Sequence, residues 1–105
     1  MKYSYPDLSE VSLAAVMHAL SDEARLEIVR QLIAKHDGEC ACGEFCGDLA
    51  KATVSHHMRV LREAGLIKHR VEGTKSITFL RRDEVGQRFP GLWELIDEGV
   101  LTDNV

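Results

Sequence analysis

Three thiols stand within seven positions, in the pattern Cys40-X-Cys42-X3-Cys46. Thiolates this close can converge on one soft ion. Trivalent arsenic or antimony would accept three sulfurs in a pyramid. A thiophilic divalent metal such as zinc wants a fourth ligand, and only His36 is near in sequence. Redox chemistry is the second possibility. Cys42 and Cys46, one helical turn apart, would lie about 6 Å from each other, within disulfide reach. The third reading is inert, partly buried thiols. The three remain open at this point. An odd, clustered trio is not a disulfide framework.

A second group carries different chemistry. In Thr53-Val54-Ser55-His56-His57-Met58-Arg59-Val60-Leu61-Arg62-Glu63-Ala64, Val54, Met58 and Leu61 recur at i, i+4 and i+7. That stripe faces a core, and His57 falls on it as a hydrogen-bonded packing residue. Thr53, Ser55, His56 and Arg59 project elsewhere. Hydroxyls, an imidazole and a guanidinium are groups that reach phosphates and base edges in a major groove, which is wide enough for an α-helix. His56 and His57 point about 100° apart on a helix and make a poor chelating pair.

These residues need elements to position them. The sequence predicts a polar arm over residues 1 to 8 and a first helix capped by Ser9. A second helix follows, with Ala24, Ile28 and Leu32 on its apolar stripe and Arg25 off it. Gly38 ends that helix. A short helix over the cysteine segment is anchored by Phe45 and Leu49, and the helix over residues 53 to 64 stops at Gly65. Leu66 serves there as the hydrophobe of a Schellman ending. Ile67, His69 and Val71 then alternate with Lys68 and Arg70, and Ile77 and Phe79 alternate with Ser76 and Thr78. With Glu72-Gly73-Thr74-Lys75 as a turn, this reads as a β-hairpin. The tail returns to helix, at least from Gly91. The fold class is mainly α with a small β-hairpin, a winged helix-turn-helix in the order α-α-α-α-β-β-α. The 105 residues form a single domain.

The formal charge is −4, which argues against a nucleic-acid partner until it is split by position. Residues 51 to 82 carry eight positive and two negative side chains, a net of +6. The remainder carries five and fifteen, a net of −10. A basic helix and wing on an acidic body is an electrostatic footprint for DNA. Apolar runs are too short to cross a bilayer and the first residues lack a signal-peptide core, so no membrane role and a cytoplasmic location are expected. No phosphate loop or Ser-His-Asp signature occurs. A small thiol enzyme would need a substrate pocket and a general acid, and only surface histidines could serve. A winged-helix protein-interaction module would have no use for the +6 segment.

Leu20-Ser21-Asp22-Glu23-Ala24-Arg25-Leu26, the stretch from Thr53 to Ile67 and Glu72-Gly73-Thr74 resemble the ArsR/SmtB family of bacterial winged-helix repressors. The resemblance covers about residues 9 to 97. It implies a homodimer, bound to double-stranded operator DNA and released by an inducer. By position it implies that Thr53, Ser55, His56 and Arg59 face the groove, and that Lys51 and Lys75 meet the DNA backbone. Glu39-Cys40-Ala41-Cys42 matches the start of the family's thiolate sensing motif. Gly43 replaces its acidic residue, and Cys46 comes one position late. Cys42 to Phe45 also fits a second pattern of the family, Cys-Gly-Glu-Phe. The family's C-terminal metal site is absent, since no histidine follows His69. Val11, Ala15, Leu92, Trp93 and Ile96 on the terminal helices are too many to bury within so small a chain. They are therefore expected to build an isologous dimer interface.

Overall fold

The computed structural model describes residues 5–34, 39–41 and 51–103, with the backbone alone at 39–41, 51–52, 75 and 98–103. A 3-10 turn, Leu8–Glu10, leads into α1 (Leu13–Leu20) and α2 (Glu23–Ala34). A short strand β1 (Glu39–Ala41) and the helix α3 (Lys51–Glu63) follow. The hairpin is β2 (Ile67–Glu72) and β3 (Lys75–Leu80), and the chain ends in α4 (Arg82–Arg88) and α5 (Leu92–Asp103). Residues 42–50, with Cys42, Cys46 and the expected short helix, lie outside the described residues, as do His36 and Gly38.

The hairpin register pairs Ile67 with Leu80 and closes at Glu72 opposite Lys75, with Gly73 at φ +62° in the two-residue turn. That conformation favours glycine. The sheet has a third strand that the periodicity did not predict. β1 pairs antiparallel with β3, giving the order β1-β3-β2, with Cys40 opposite Thr78. Glu39 to Ala41 therefore extend as strand, where the start of a helix was expected. Three residues are too few to display a period of two.

The cap positions shift as well. Ser12, not Ser9, caps α1 by accepting from the Ala15 amide at 3.0 Å. Asp7 accepts from the Ser9 amide and caps the 3-10 turn, and that bond holds its carboxyl below the usual range. The turn exists because Leu8 and Val11 are both buried and the chain must bend between them. Asp22 caps α2 by accepting from the Arg25 amide at 3.1 Å. The tail holds two helices rather than one, broken at Phe89-Pro90-Gly91, where Pro90 has no amide to donate and Gly91 turns at φ +87°.

The core is a single cluster in which Val16, Val29, Leu32, Leu61, Leu66, Ile67 and Val85 are fully buried. Full burial of each large aliphatic side chain contributes about 1.5–3 kcal/mol. α5 packs across α2, which corrects one expectation. Val11, Leu92, Trp93 and Ile96 are all buried within one chain, and the Trp93 indole donates to the Arg82 carbonyl. Only Ala15 of the five is exposed. Among the described residues, the large apolar side chains left on the surface of these helices are Leu13 and Met17 on α1 and Leu95 on α5, which are 52%, 45% and 64% exposed.

Residues 5 to 11 are tied to the body by side-chain hydrogen bonds. The Tyr5 hydroxyl donates to the His69 carbonyl at 2.9 Å and accepts from the His69 amide at 3.0 Å. Arg81 donates to the Pro6 carbonyl, and Arg88 to those of Leu8 and Val11. The phenol thereby satisfies the free edge of β2 at His69.

Candidate nucleic-acid interface

α3 divides along its length. Val54, His57, Met58 and Leu61 are buried at i, i+3, i+4 and i+7. Thr53, Ser55, His56 and Arg59 are all exposed on the other side. The helix ends in a Schellman motif: the Leu66 amide donates to the Leu61 carbonyl at 3.1 Å and the Gly65 amide to that of Arg62 at 3.0 Å. Gly65 sits at φ +80°, and a Cβ there would lie 2.7 Å from Leu8 Cδ2. This stop sets where β2 begins, and so fixes the hairpin against the helix. The four predicted groove residues thus share one solvent face. Lys51 is the first residue of α3, and Lys75 the first of β3 at the hairpin tip.

The basic count over residues 51–82 is narrower in space than in sequence. Arg81 is 6% exposed and pairs with Glu84 at 2.8 Å while holding the Pro6 carbonyl. Lys68 approaches the same Glu84 at 3.7 Å and lies over the Tyr5 ring. The Arg81 hydrogen bond holds the Glu84 carboxyl below its ordinary range. Arg81 is a structural cation. Arg70 stacks over Phe79 and pairs with Glu72 at 3.3 Å, on an exposed face of the wing.

His57 is buried, as its place on the stripe predicts, with Nδ1 at 3.3 Å from Nη1 of Arg25. The rings of His56 and His57 are tilted 52° and 5.7 Å apart, so they diverge and do not chelate. No group of three or more metal-ligating side chains occurs among the described residues. Cys40 is placed by its backbone in β1.

The roles of two buried side chains do not show in the sequence. Arg25 is 8% exposed, although the Ala24-Ile28-Leu32 stripe put it outside. The buried set of α2 is Arg25, Ile28, Val29 and Leu32. The same i, i+3, i+4, i+7 spacing, started one residue later, would have found it. His69 is the other. It is buried on one face of the wing, with Nδ1 at 3.0 Å from the hydroxyl of its cross-strand neighbour Thr78. Burial first, and the nearby Arg62 charge second, push its pKa down to about 4.

A family model described as a helix-turn-helix domain matches residues 20–70. The chain is 38% identical over 86 residues to an uncharacterized HTH-type transcriptional regulator, YceK, of Bacillus subtilis, across 79% of this chain and 84% of that protein. It is 38% identical over 65 residues to a Staphylococcus aureus homolog of the cadmium resistance transcriptional regulatory protein CadC, across 60% of this chain and 52% of that one. Among solved structures it is similar to the homodimeric winged helix-turn-helix DNA-binding domain of Mb0332 from Mycobacterium bovis, described as a possible ArsR-family transcriptional regulator. The TM-score is 0.66 at 26% identity, covering 87% of this chain and 78% of that one. No described helix is long and apolar enough to cross a membrane.

Proposed function

From the premise that this chain belongs to the ArsR/SmtB family of winged helix-turn-helix transcriptional regulators, and is not an enzyme, we propose that it is a cytoplasmic, homodimeric repressor whose operator is released by a thiol-directed inducer. In this reading α3 enters the major groove with Thr53, Ser55, His56 and Arg59 toward the bases. Lys51 and Lys75 meet the phosphates on either side. The observation that carries it is the division of α3, whose polar face is solvent-exposed while its other face is locked into the core.

The homodimer rests on geometry and on similarity. Two recognition helices must reach successive major grooves about 34 Å apart, which one copy of α3 cannot do. The Mycobacterium bovis neighbour is homodimeric. Leu13 and Met17, one turn apart on α1, and Leu95 on α5 are exposed apolar surface that the terminal helices offer a partner, while Ala15 is exposed on another side of α1. Val11, Leu92, Trp93 and Ile96 support it from beneath.

The thiol switch rests on connectivity. β1 carries Cys40 and is laddered to β3, a strand of the wing. Arsenite, antimonite or a soft divalent metal bound by Cys40, Cys42 and Cys46, or an oxidant acting on them, would act on a segment joined to the DNA-facing hairpin. Any such inducer must favour the DNA-free conformation over the bound one.

The test is a mobility-shift titration on the DNA upstream of the chain's own gene. We expect binding at about 50 mM salt that falls steeply toward about 200 mM, as counterion release requires. Parallel additions of arsenite, cadmium, zinc and peroxide, with thiol counting, identify the inducer. Absence of binding at the lower salt overturns the repressor reading.

A further inference from the structure

The inner face of α3 is held by two kinds of contact. Val54, Met58 and Leu61 bury apolar surface. That attraction is non-directional and leaves the rotation of the helix about its axis weakly defined. Among the described residues of α3, the one buried polar side chain is His57, and it meets the buried guanidinium of Arg25.

Arg25 is itself fixed by α1. Its Nε donates to the Ala19 carbonyl at 2.7 Å, and Nη2 to the His18 carbonyl at 3.5 Å. Both are carbonyls of the last turn of α1, and that of His18 also accepts from the Ser21 amide and hydroxyl. The Arg25 amide is held by the Asp22 cap. The guanidinium is therefore anchored at both ends, and its remaining nitrogen, Nη1, is aimed at α3. Arginine has only donors. The contact requires that His57 accept through Nδ1 and carry its ring proton on Nε2. The Asp22 carboxylate lies farther off, 4.0 Å from the same nitrogen.

We infer that Arg25 and His57 are positioning residues for operator recognition: their hydrogen bond sets the rotation of α3, and with it the register of Ser55, His56 and Arg59 on the bases. This rests on the DNA-binding reading above. The geometry makes the effect large. Side chains project about 5–6 Å from a helix axis, so a roll of roughly 10° displaces their tips by about 1 Å. Base-edge hydrogen bonds tolerate only a few tenths of an ångström. Phosphate contacts follow charge and survive such a displacement.

The experiment compares His57→Asn with His57→Gln. Asn places an acceptor oxygen where Nδ1 stands, and Gln places it where Nε2 stands. The two substitutes are alike in polarity and fold requirements. The wild-type chain first selects its best duplex from a random-sequence pool. Each variant is then titrated on that duplex and on a scrambled duplex of the same composition, with thermal unfolding alongside. His57→Gln is expected to lose about tenfold or more on the selected duplex and less than about twofold on the scrambled one. His57→Asn stays within about threefold of wild type on both. Arg25→Lys, which keeps the charge but cannot reach three acceptors, behaves as His57→Gln and serves if that variant does not fold. A specificity ratio unchanged in His57→Gln and Arg25→Lys, or lost equally in Asn and Gln, overturns the inference while leaving DNA binding intact. A wild-type chain that enriches no duplex overturns the DNA-binding reading itself, and the inference with it.

Discussion

Protonation of His69 should unlatch the wing, and its size can be worked out. The imidazole is buried on one face of the hairpin, against Thr78, and its pKa is pushed from the ordinary 6.5 down to about 4, mainly by burial. The folded state therefore holds the ring neutral over a range where the unfolded chain protonates it. Between pH 4 and 6.5 the unfolded state binds more protons, so stability rises with pH there. The contribution is fully present above pH 6.5 and is lost as pH falls toward 4. From pH 7.5 to pH 5 the two pKa values give a loss of about 2 kcal/mol. The assay is urea unfolding at intervals across that range, for the wild type and for His69→Asn, which retains a partner for the Thr78 hydroxyl but does not titrate. The difference between their two curves should change by about 2 kcal/mol, because every other titrating group cancels. A difference flat to within about 0.5 kcal/mol would refute the buried, neutral His69.

Gly65→Ala meets both a left-handed φ and the Leu8 methyl, whereas Gly73→Ala meets the φ alone. We expect about 2 kcal/mol or more of destabilisation for the first and about 1 kcal/mol for the second in thermal or urea unfolding, and equal losses would show that Leu8 moves freely. Arg59→Ala should weaken specific operator binding by about 1–3 kcal/mol at fixed salt, and an unchanged affinity removes Arg59 from the interface. Cys42→Ser should abolish release by the inducer while leaving DNA affinity nearly intact, and a fully inducible variant makes that thiol irrelevant to sensing.

The recognition helix and the hairpin were legible because each repeats its period over six or more residues, long enough for Val54, Met58 and Leu61, or Ile67 and His69, to declare a face. β1 was not, because three residues have no period. Arg25 was misplaced because the stripe of α2 starts one residue later than Ala24 suggests, and a polar residue on a buried stripe reads as solvent until its partner is seen. That partner, His57, sits on the equivalent buried stripe of α3, so two apparent exceptions to the apolar pattern explain each other. The charge split located the basic face but counted Arg81 as part of it. Only three-dimensional proximity to Glu84 and Pro6 reveals that Arg81 holds the chain together. The terminal helices showed the same limit. An apolar residue is recognisable in sequence, but which side of it another helix covers is not.

One row across the sheet joins the thiol segment to the N-terminal arm. The amide and carbonyl of His69 both turn outward to the Tyr5 hydroxyl, so His69 and Thr78 form the pair that exchanges no backbone hydrogen bonds. The amide and carbonyl of Thr78 must then face β1, where Cys40 stands opposite. Tyr5, His69, Thr78 and Cys40 are consecutive links, and an inducer that pulls β1 away strips Thr78 of its partners first. Hydrogen exchange with and without the active inducer reads this directly. The Thr78 amide should lose protection on inducer addition, while the Leu66 amide, held by the Schellman bond to Leu61, keeps its own. Equal loss at both sites would mean global unfolding, and no change at Thr78 in a chain that has released its DNA would mean that the signal does not travel through the sheet.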